Sequence, residues 1–301
     1  DRHREEIDRL LAEGHAYEDA GAVRLRVPEG GQTTVHDEIR GEDHLSNTPK
    51  QLLVYEALGA QPPVFAHLPL LHGPDGKKLS KRHGAASVQE LRDQGFLPAA
   101  IRNYLALLGW GFDDSSTFFT TEELIENFTL DRVSKSPAVF DEKKLRWMNG
   151  RYLREMGLDE LTRVLEERTG RSGLREAVAI SQEKMQTLAD FEPLSGWLFE
   201  ERPTDEKAWG KVMRDGAAEN LARAREALAR VEPFDEAGVE RALSGLVEEL
   251  GVKPGKLYQP IRVAITGTTI SPGIFESVAL LGRDATLARI DNALERATAT
   301  G

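Results

Sequence analysis

The residues with the clearest chemical potential lie in the stretch GPDGKKLSKRHG at positions 73–84. It begins with four turn formers, so we expect a loop and no helix start. Four cationic side chains against one aspartate give it a local charge of +3, within a chain of formal charge -11. Lys78 and Lys81 flank Ser80, so two ammonium groups and a hydroxyl can converge on one polyphosphate. A solvated lysine-rich surface is the alternative interpretation.

Composition predicts a globular protein of two or three domains. The chain has 301 residues, 40% of them hydrophobic, and no apolar run long enough to span a bilayer. It contains no cysteine, which excludes disulfides, thiolate catalysis and thiolate metal sites. The N-terminus has no signal-peptide core, so we expect a cytoplasmic location. The acidic balance disfavours indiscriminate nucleic-acid binding, although a local basic face can still bind phosphates.

Histidine is confined to one part of the chain. All seven histidines lie in the first 83 residues. Because imidazole has the side-chain pKa nearest neutrality, we expect any acid–base chemistry in this part. Composition drift between domains accounts for the pattern equally well.

The first part of the chain has a mixed α/β pattern. Residues 2–14 are typical of an amphipathic helix, and 22–28 alternate as a strand for which 34–39 could be the partner. A helix capped by Thr48 follows. The apolar run at 64–71 has strand length, which would place the basic loop after a buried strand, where α/β sheets bind ligands.

Beyond the loop, the pattern is helical. Pro98 begins one helix, and the Thr120–Glu123 spacing predicts a capping box for another. Residues 131–156 carry seven basic and four acidic side chains. The repeated helical patterns beyond residue 160 predict a helical bundle.

Three motifs, KLSKR, RGEDHLSNTP and LPAAIRNYLALLGW, together resemble bacterial glutamyl-tRNA synthetases, which are class I aminoacyl-tRNA synthetases. The resemblance runs from Arg40 to Asn149 and continues in KPGKLYQPIRVAITG at 253–267. KLSKR, with GPDGK before it and HGA after it, looks like the family's version of the KMSKS signature.

The resemblance implies an α/β plus all-α fold, in which the C-terminal half of a Rossmann-type catalytic domain precedes helical domains. We expect the partial catalytic domain with the KLSKR loop at residues 1–85, a helical stem-contact region at 86–160 and a helical-bundle anticodon-binding domain at 161–301. A helical C-terminus favours the glutamyl type over glutaminyl enzymes, whose anticodon domain is expected to be a pair of β-barrels. It also disfavours the short relatives that modify tRNA.

The resemblance further implies that L-glutamate is activated with ATP to glutamyl adenylate and transferred to the 3′ end of tRNA(Glu). Mg²⁺ would accompany the ATP with little protein ligation, and no protein metal site is predicted. We expect a monomer without a membrane partner. The alternative is a non-catalytic tRNA-binding fragment of such an enzyme. A helical scaffold would leave the KLSKR loop and the histidine clustering unexplained.

Individual roles also follow from the resemblance. Lys81 would be the principal ATP contact, and Glu42 and Asp43 lie where family members contact the nucleotide, with turn capping as the alternative. Arg40 matches the arginine that holds the substrate carboxylate, a role suited to a bidentate guanidinium. The expected catalytic residues are Lys78, Ser80 and Lys81.

The expected tRNA contacts are basic residues of the helical part, and a solvated helix face is the alternative. We do not expect the helix after residue 141 to continue through Asn149 and Gly150, and we place the apolar Leu145, Trp147 and Met148 in the core. The region beyond residue 160 is expected to bind the anticodon without the catalytic half. The predicted tRNA-binding residues are Lys143, Lys144, Arg146 and Lys184.

The sequence departs from the family pattern in two respects. The HIGH-type motif does not occur in it, and two internal segments of family members are replaced by direct joins. Arg40 sits at the second join, so it could belong to either flanking segment. Two explanations fit these departures. The polypeptide is truncated, or the sequence contains only the ordered residues of a longer chain.

Overall fold

The computed structural model describes residues 2–26, 37, 39, 43–80, 87–113, 115–214 and 216–299. The chain divides into two compact units, each assembled from two segments. The first unit comprises Asp1–Ser87 and Ile101–Glu142, and the second comprises Val88–Ala100 and Lys143–Gly301.

Helices dominate the described residues, which contain fifteen α-helices and four short strands. The strands are β1 (Ala16–Asp19), β2 (Ala22–Leu25), β3 (Leu71–His72) and β4 (Ala138–Val139). The helices are α1 (Arg2–Ala12), α2 (Thr48–Ala57), α3 (Val88–Asp93), α4 (Pro98–Leu107), α5 (Thr121–Asn127), α6 (Glu142–Glu155), α7 (Leu158–Thr169), α8 (Arg175–Ser181), α9 (Phe191–Ser195), α10 (Glu206–Val212), α11 (Ala217–Ala229), α12 (Glu236–Leu250), α13 (Pro254–Thr266), α14 (Ile274–Leu281) and α15 (Arg283–Ala299).

The four described strands of the first unit form two separate pairs. β1 and β2 form an antiparallel hairpin with Ala16 opposite Leu25, and β3 pairs with β4 in parallel. The expected strand at 22–28 is therefore present as β2, paired with β1. Residues 34–36 and 38, the proposed partner, lie outside the described residues.

The strand expected at 64–71 is wrong for most of its length. Phe65 makes one isolated bridge, to Asp37, and regular pairing begins only at Leu71. Val64 is 78% exposed and Leu68 is 55% exposed. Proline supplies the reason, because Pro69 has no N–H to donate to a neighbouring strand and PP at 62–63 precedes the run.

Local helix signals predict most starts correctly. α4 begins at Pro98, and Thr120 caps α5 with both hydrogen bonds of a capping box, to and from Glu123 at 3.1 and 2.7 Å. The cap of α2 is Asn47, one residue before the expected Thr48, and the Asn47 side chain makes no capping hydrogen bond. The Thr48 hydroxyl bonds to His67.

Helix α6 continues through Asn149 and Gly150, contrary to the sequence-based expectation. Asn149 is fully buried, and its side chain accepts the Leu97 N–H at 2.7 Å. A Cβ at position 150 would lie 3.3 Å from the Met185 carbonyl oxygen, so glycine permits the close approach. These tertiary contacts outweigh the low helix propensity of glycine.

Burial of the apolar α6 residues follows the expectation in two cases of three. Leu145 and Met148 are fully buried, as predicted. Trp147 is 49% exposed, so its assignment to the core was wrong. Positions 145 and 148 share one face of the helix, whereas 147 lies about 100° away from 148.

The second unit contains two apolar cores. One is built around α7–α9 and includes Leu97 and Ala100 from the segment that precedes α6. The other is built from α10–α15 around residues such as Leu221, Leu243 and Ile261, all of them fully buried. None of the helices in the described ranges is both long enough and apolar enough to cross a membrane.

Candidate functional site

The basic loop of the first unit begins as a tight hairpin after β3. The Gly76 N–H donates to the Gly73 carbonyl at 3.0 Å, and Gly76 has a φ of 72°, which glycine adopts without strain. The Leu79 N–H donates to the Leu71 carbonyl at 2.7 Å. The predicted turn is confirmed, and it fixes the backbone of Lys78 close to the base of the loop.

Lys78 and Asp43 lie next to each other. Nζ of Lys78 is 4.0 Å from Oδ1 of Asp43, and the side chains are 70% and 42% exposed. Such an exposed pair contributes little to stability, so the ammonium group can exchange its partner for a phosphate. Ser80, which follows Lys78 and Leu79 in the sequence, is half-buried. Three predicted site residues, Arg40, Glu42 and Lys81, lie outside the described residues.

An apolar cavity of about 520 Å³ adjoins this pair. Lys78 and Asp43 contribute to its lining, and the Trp110 indole forms part of the wall. Nε1 of Trp110 is buried and has no hydrogen-bond partner among the described residues. The cavity can hold an apolar ring while an attached anion contacts Lys78. The remaining walls are mostly apolar and include Leu68, Leu71, Leu79, Leu105, Leu108, Phe128 and Val133.

A buried polar network lies in the same unit and was not predicted. A carboxylate oxygen of Asp37 contacts Nδ1 of His67, and Nε2 of His67 lies 2.6 Å from the Thr48 hydroxyl. His67 is 7% exposed and Thr48 is fully buried. The histidine clustering was the only sequence signal, because 30 residues separate Asp37 from its partner.

The predicted tRNA contacts on α6 differ from each other in structure. Lys143 and Lys144 are exposed. Arg146 instead donates to both carboxylate oxygens of Asp190 at 3.1 and 3.2 Å and to Gln186 at 3.3 Å. Asp190 also accepts two backbone N–H groups, so the guanidinium of Arg146 belongs to a structural network of the second unit.

Lys184 lies beside a second cation, Arg262. Nζ of Lys184 donates to the Ser271 carbonyl at 3.0 Å, and Nε of Arg262 donates to the Ser271 hydroxyl at 2.8 Å. Burial lowers the pKa of Lys184, the charge of Arg262 lowers it further, and Glu276 opposes both effects. Burial also lowers the pKa of Arg262. Two cations held this close favour an anionic or carbonyl-bearing neighbour.

A basic cavity of about 630 Å³ lies in the second unit between the end of α10 and the start of α13. None of its four cationic side chains forms an ion pair with a carboxylate of the described residues, although the chain is acidic overall. Those side chains are Lys211, Arg214, Lys253 and Lys256. We refer to it as the basic cavity.

One wall of the basic cavity carries unused hydrogen-bonding capacity. Oε1 of Gln259 is buried without a partner among the described residues. Pro260 lacks the N–H that would bond the Lys256 carbonyl in α13, and Nδ2 of Asn220 approaches that carbonyl at 3.4 Å. The segment KPGKLYQPIR contains Lys253 and Lys256, but two basic residues near an ordinary helix end do not predict a cavity that also includes Lys211 and Arg214.

Neither unit presents a protein metal site in the part that the structure describes. No group of three or more His, Asp or Glu side chains there could hold an ion. Asp43 is the single described carboxylate that lines the apolar cavity.

Comparison with known proteins identifies the family to which the chain belongs. Residues 32–147 match the catalytic domain of class I tRNA synthetases (E and Q), and residues 147–294 match an anticodon binding domain. Glutamate-tRNA ligase 1 of Caldanaerobacter subterraneus subsp. tengcongensis is 38% identical over 97% of this chain and 71% of the relative. The chain belongs to the glutamate-tRNA ligase family. The resemblance predicted from KLSKR and its companion motifs is confirmed.

Other members of this family support the same assignment. Glutamate-tRNA ligase of Moorella thermoacetica is 45% identical over 85% of this chain, which spans 55% of that relative. A crystal structure of a glutamate tRNA ligase from Elizabethkingia meningosepticum superimposes with a TM-score of 0.69 at 24% identity, over 97% of this chain and 70% of that one. The predicted fold class, a partial class I catalytic domain followed by helical domains, is thereby confirmed.

Proposed function

We propose that this chain is the part of a glutamate-tRNA ligase that supplies the KLSKR loop and the tRNA-binding helices. In this proposal the ligase activates L-glutamate with ATP and transfers the glutamyl group to the 3′ end of tRNA(Glu). The observation that carries the proposal is the hairpin that holds Lys78 beside Asp43 at an apolar cavity. The match of residues 32–147 to the class I catalytic domain supports it.

The proposed reaction requires that the substrates are positioned and that the charge on the phosphates is neutralised. The glutamate carboxylate attacks the α-phosphorus of ATP, a mixed anhydride forms, and pyrophosphate leaves. Lys78 and Lys81 would neutralise charge that develops on the phosphates, and the Ser80 hydroxyl would donate to a phosphate oxygen. Arg40 would hold the substrate carboxylate, and Glu42 and Asp43 would contact the nucleotide. Mg²⁺ bound to the phosphates would stabilise the leaving group.

The second unit would supply the RNA contacts. Lys143 and Lys144 would contact the tRNA backbone, and Lys184 with Arg262 would meet the anticodon loop. The basic cavity is large enough for one unstacked nucleotide, with a phosphate at its cationic rim and a base edge at Gln259. Single-stranded loops with splayed bases are the RNA elements that proteins read in this way.

The proposal assigns three functional regions to the chain. Residues 1–85 would act as the partial catalytic domain, 86–160 as the stem-contact region and 161–301 as the anticodon-binding domain. We expect a cytoplasmic monomer. The alternative function is tRNA binding without ligation, which the helical second unit would also allow.

ATP–pyrophosphate exchange with glutamate and tRNA(Glu) tests the proposal. In an intact ligase that contains this chain, we expect exchange, a loss on the order of 2–4 kcal/mol of transition-state stabilisation in Lys81→Ala, and little change in tRNA affinity. tRNA binding without exchange would support the non-catalytic alternative. Absence of both would contradict the proposed function.

A further inference from the structure

The buried network of Asp37, His67 and Thr48 contains the groups of an acid–base triad. The Asp37 carboxylate accepts from Nδ1 of His67, so that nitrogen carries a proton. In the neutral imidazole Nε2 then accepts from the Thr48 hydroxyl, 2.6 Å away. The order carboxylate, imidazole, hydroxyl is the order used to activate a nucleophile.

Burial excludes a nucleophilic role for this threonine. Thr48 is fully buried and His67 is 7% exposed, so no substrate atom can approach the hydroxyl oxygen in this structure. The network therefore has a role in holding parts of the protein in place and does not react with a substrate. Its three members are separated in the sequence, and the two side-chain hydrogen bonds hold them together.

Asp37 and Thr48 mark the two ends of one segment. Between them in the sequence lie Arg40, Glu42 and Asp43, the three residues proposed to contact glutamate and the nucleotide. Both ends of this segment bind the same imidazole. Asp43, the described member of the three, therefore lies in the sequence between two residues that are held at one point.

The Asp37 carboxylate strengthens the junction through the backbone. Its Oδ1 accepts the His67 N–H at 3.2 Å and the Ile39 N–H at 3.0 Å. Ile39 is 4% exposed, so this end of the segment is packed as well as hydrogen-bonded. Loss of the carboxylate would release several contacts at once.

His67 also leads directly into the basic hairpin. The next residue, Leu68, accepts the Asp43 N–H at 3.0 Å, and Asp43 lies beside Lys78. The imidazole therefore stands where the segment from 37 to 48 meets the chain that continues into the loop with Lys78. A displacement there would change the distance between the two proposed nucleotide contacts.

We infer that His67, oriented by Asp37 and bonded to Thr48, is a positioning residue that fixes Asp43, a proposed nucleotide contact, against the loop that carries Lys78. The inference rests on the proposed function for the identity of the substrates. The network itself is independent of that function, because it is defined by contacts within the first unit.

A matched pair of variants in the 301-residue chain tests this role. Thr48→Val keeps the shape of the side chain but removes the hydroxyl, and Thr48→Ser keeps the hydroxyl. In ATP–pyrophosphate exchange, measured well below the unfolding midpoint, we expect Thr48→Val to lower kcat about tenfold or more, because small misplacements of reacting groups are costly. Thr48→Ser should stay within about threefold of the parent chain. The affinity for tRNA should be unchanged in both variants.

The outcomes separate positioning from stability alone. If Thr48→Val lowers the unfolding midpoint but leaves kcat unchanged, the network is only structural and the inference is overturned. If the parent chain alone shows no exchange, kcat cannot be compared between the variants, and amide hydrogen exchange decides the inference. Thr48→Val must then accelerate exchange at Asp43 and Leu79 relative to Thr48→Ser, and equal rates would overturn it.

Discussion

The side-chain oxygen of Asn149 accepts the backbone N–H of Leu97 at 2.7 Å, with both residues buried in the second unit. Asn149→Ala leaves that N–H without a partner, so we expect a loss of about 1–3 kcal/mol in the free energy of unfolding, measured in urea. Asn149→Asp keeps the acceptor for Leu97 but replaces the N–H that donates to the Gln186 carbonyl by a buried carboxylate oxygen, so it should not restore the stability. A change below about 0.5 kcal/mol in Asn149→Ala would contradict this assignment.

Tyr104 should titrate abnormally. It is 2% exposed, and its hydroxyl donates to the Asp141 carbonyl and accepts the Asp141 N–H at 2.6 Å. Burial raises the pKa of Tyr104 to about 12. Absorbance at 295 nm should show a tyrosine that ionises near that value, and Tyr104→Phe should remove this step.

The same shift predicts how stability depends on alkaline pH. Because the folded state holds the phenolic proton above the unfolded pKa of 10, the unfolded state binds fewer protons between pH 10 and about 12. The contribution of Tyr104 is therefore full below pH 10 and falls as pH rises, by roughly 2–3 kcal/mol in total. Comparison of urea unfolding of the parent and Tyr104→Phe over this range measures it. Parallel curves would refute the prediction.

Lys78 and Lys77 form a matched pair for the nucleotide site. Lys78 lines the apolar cavity beside Asp43, whereas Lys77 precedes it and does not contribute to the lining. We expect Lys78→Ala to lower kcat/KM for ATP in pyrophosphate exchange by about 10- to 100-fold, and Lys77→Ala to lower it by less than about threefold. Equal effects would mean that the loop acts only through its net charge.

The basic residues of α6 should separate into two classes. Lys143→Gln with Lys144→Gln should weaken tRNA binding and reduce the slope of log affinity against log salt by about 1–2, because fewer counterions are released. Arg146→Gln should instead lower the free energy of unfolding, since it leaves Asp190 without its bidentate partner. If the double variant keeps the parent's salt slope, the two lysines are solvated surface residues.

The basic cavity predicts a distinct RNA effect. Lys253→Gln with Lys256→Gln should weaken binding of an isolated anticodon stem-loop by about tenfold at low salt. Gln259→Leu removes the orphan acceptor and should reduce discrimination between bases in the loop more than it reduces affinity. A Gln259→Leu variant that binds cognate and altered loops in the parent's ratio would exclude base reading at this cavity.

Local signals explain what the sequence predicted well. The GPDG turn and the Thr120–Glu123 box depend on neighbours only a few residues away, and both are present. Helix α6 was missed at Gly150 because the contacts that favour it come from Leu97 and from the chain near residue 185. No local pattern contains those contacts.

The same contrast between local signals and distant contacts applies to the candidate sites. Lys78 was predicted because its motif is contiguous, and the structure places it at a cavity. The network of Asp37, His67 and Thr48 was missed because its members are distant in sequence and each has an ordinary local role. Arg146 was predicted as an RNA contact from charge alone, and sequence could not show that Asp190 lies opposite its guanidinium.

The second unit is built from two segments that residues of the first unit separate in the sequence, and this order affects folding during synthesis. Residues 88–100 leave the ribosome before residues 101–142, which belong to the first unit. Leu97 and Ala100 therefore wait for their core neighbours while roughly fifty more residues are added, which takes several seconds at roughly 5–20 residues per second. During that interval the apolar side chains of this segment lack their core neighbours and can bind a chaperone. A pause in translation just after the segment would prolong their exposure to solvent.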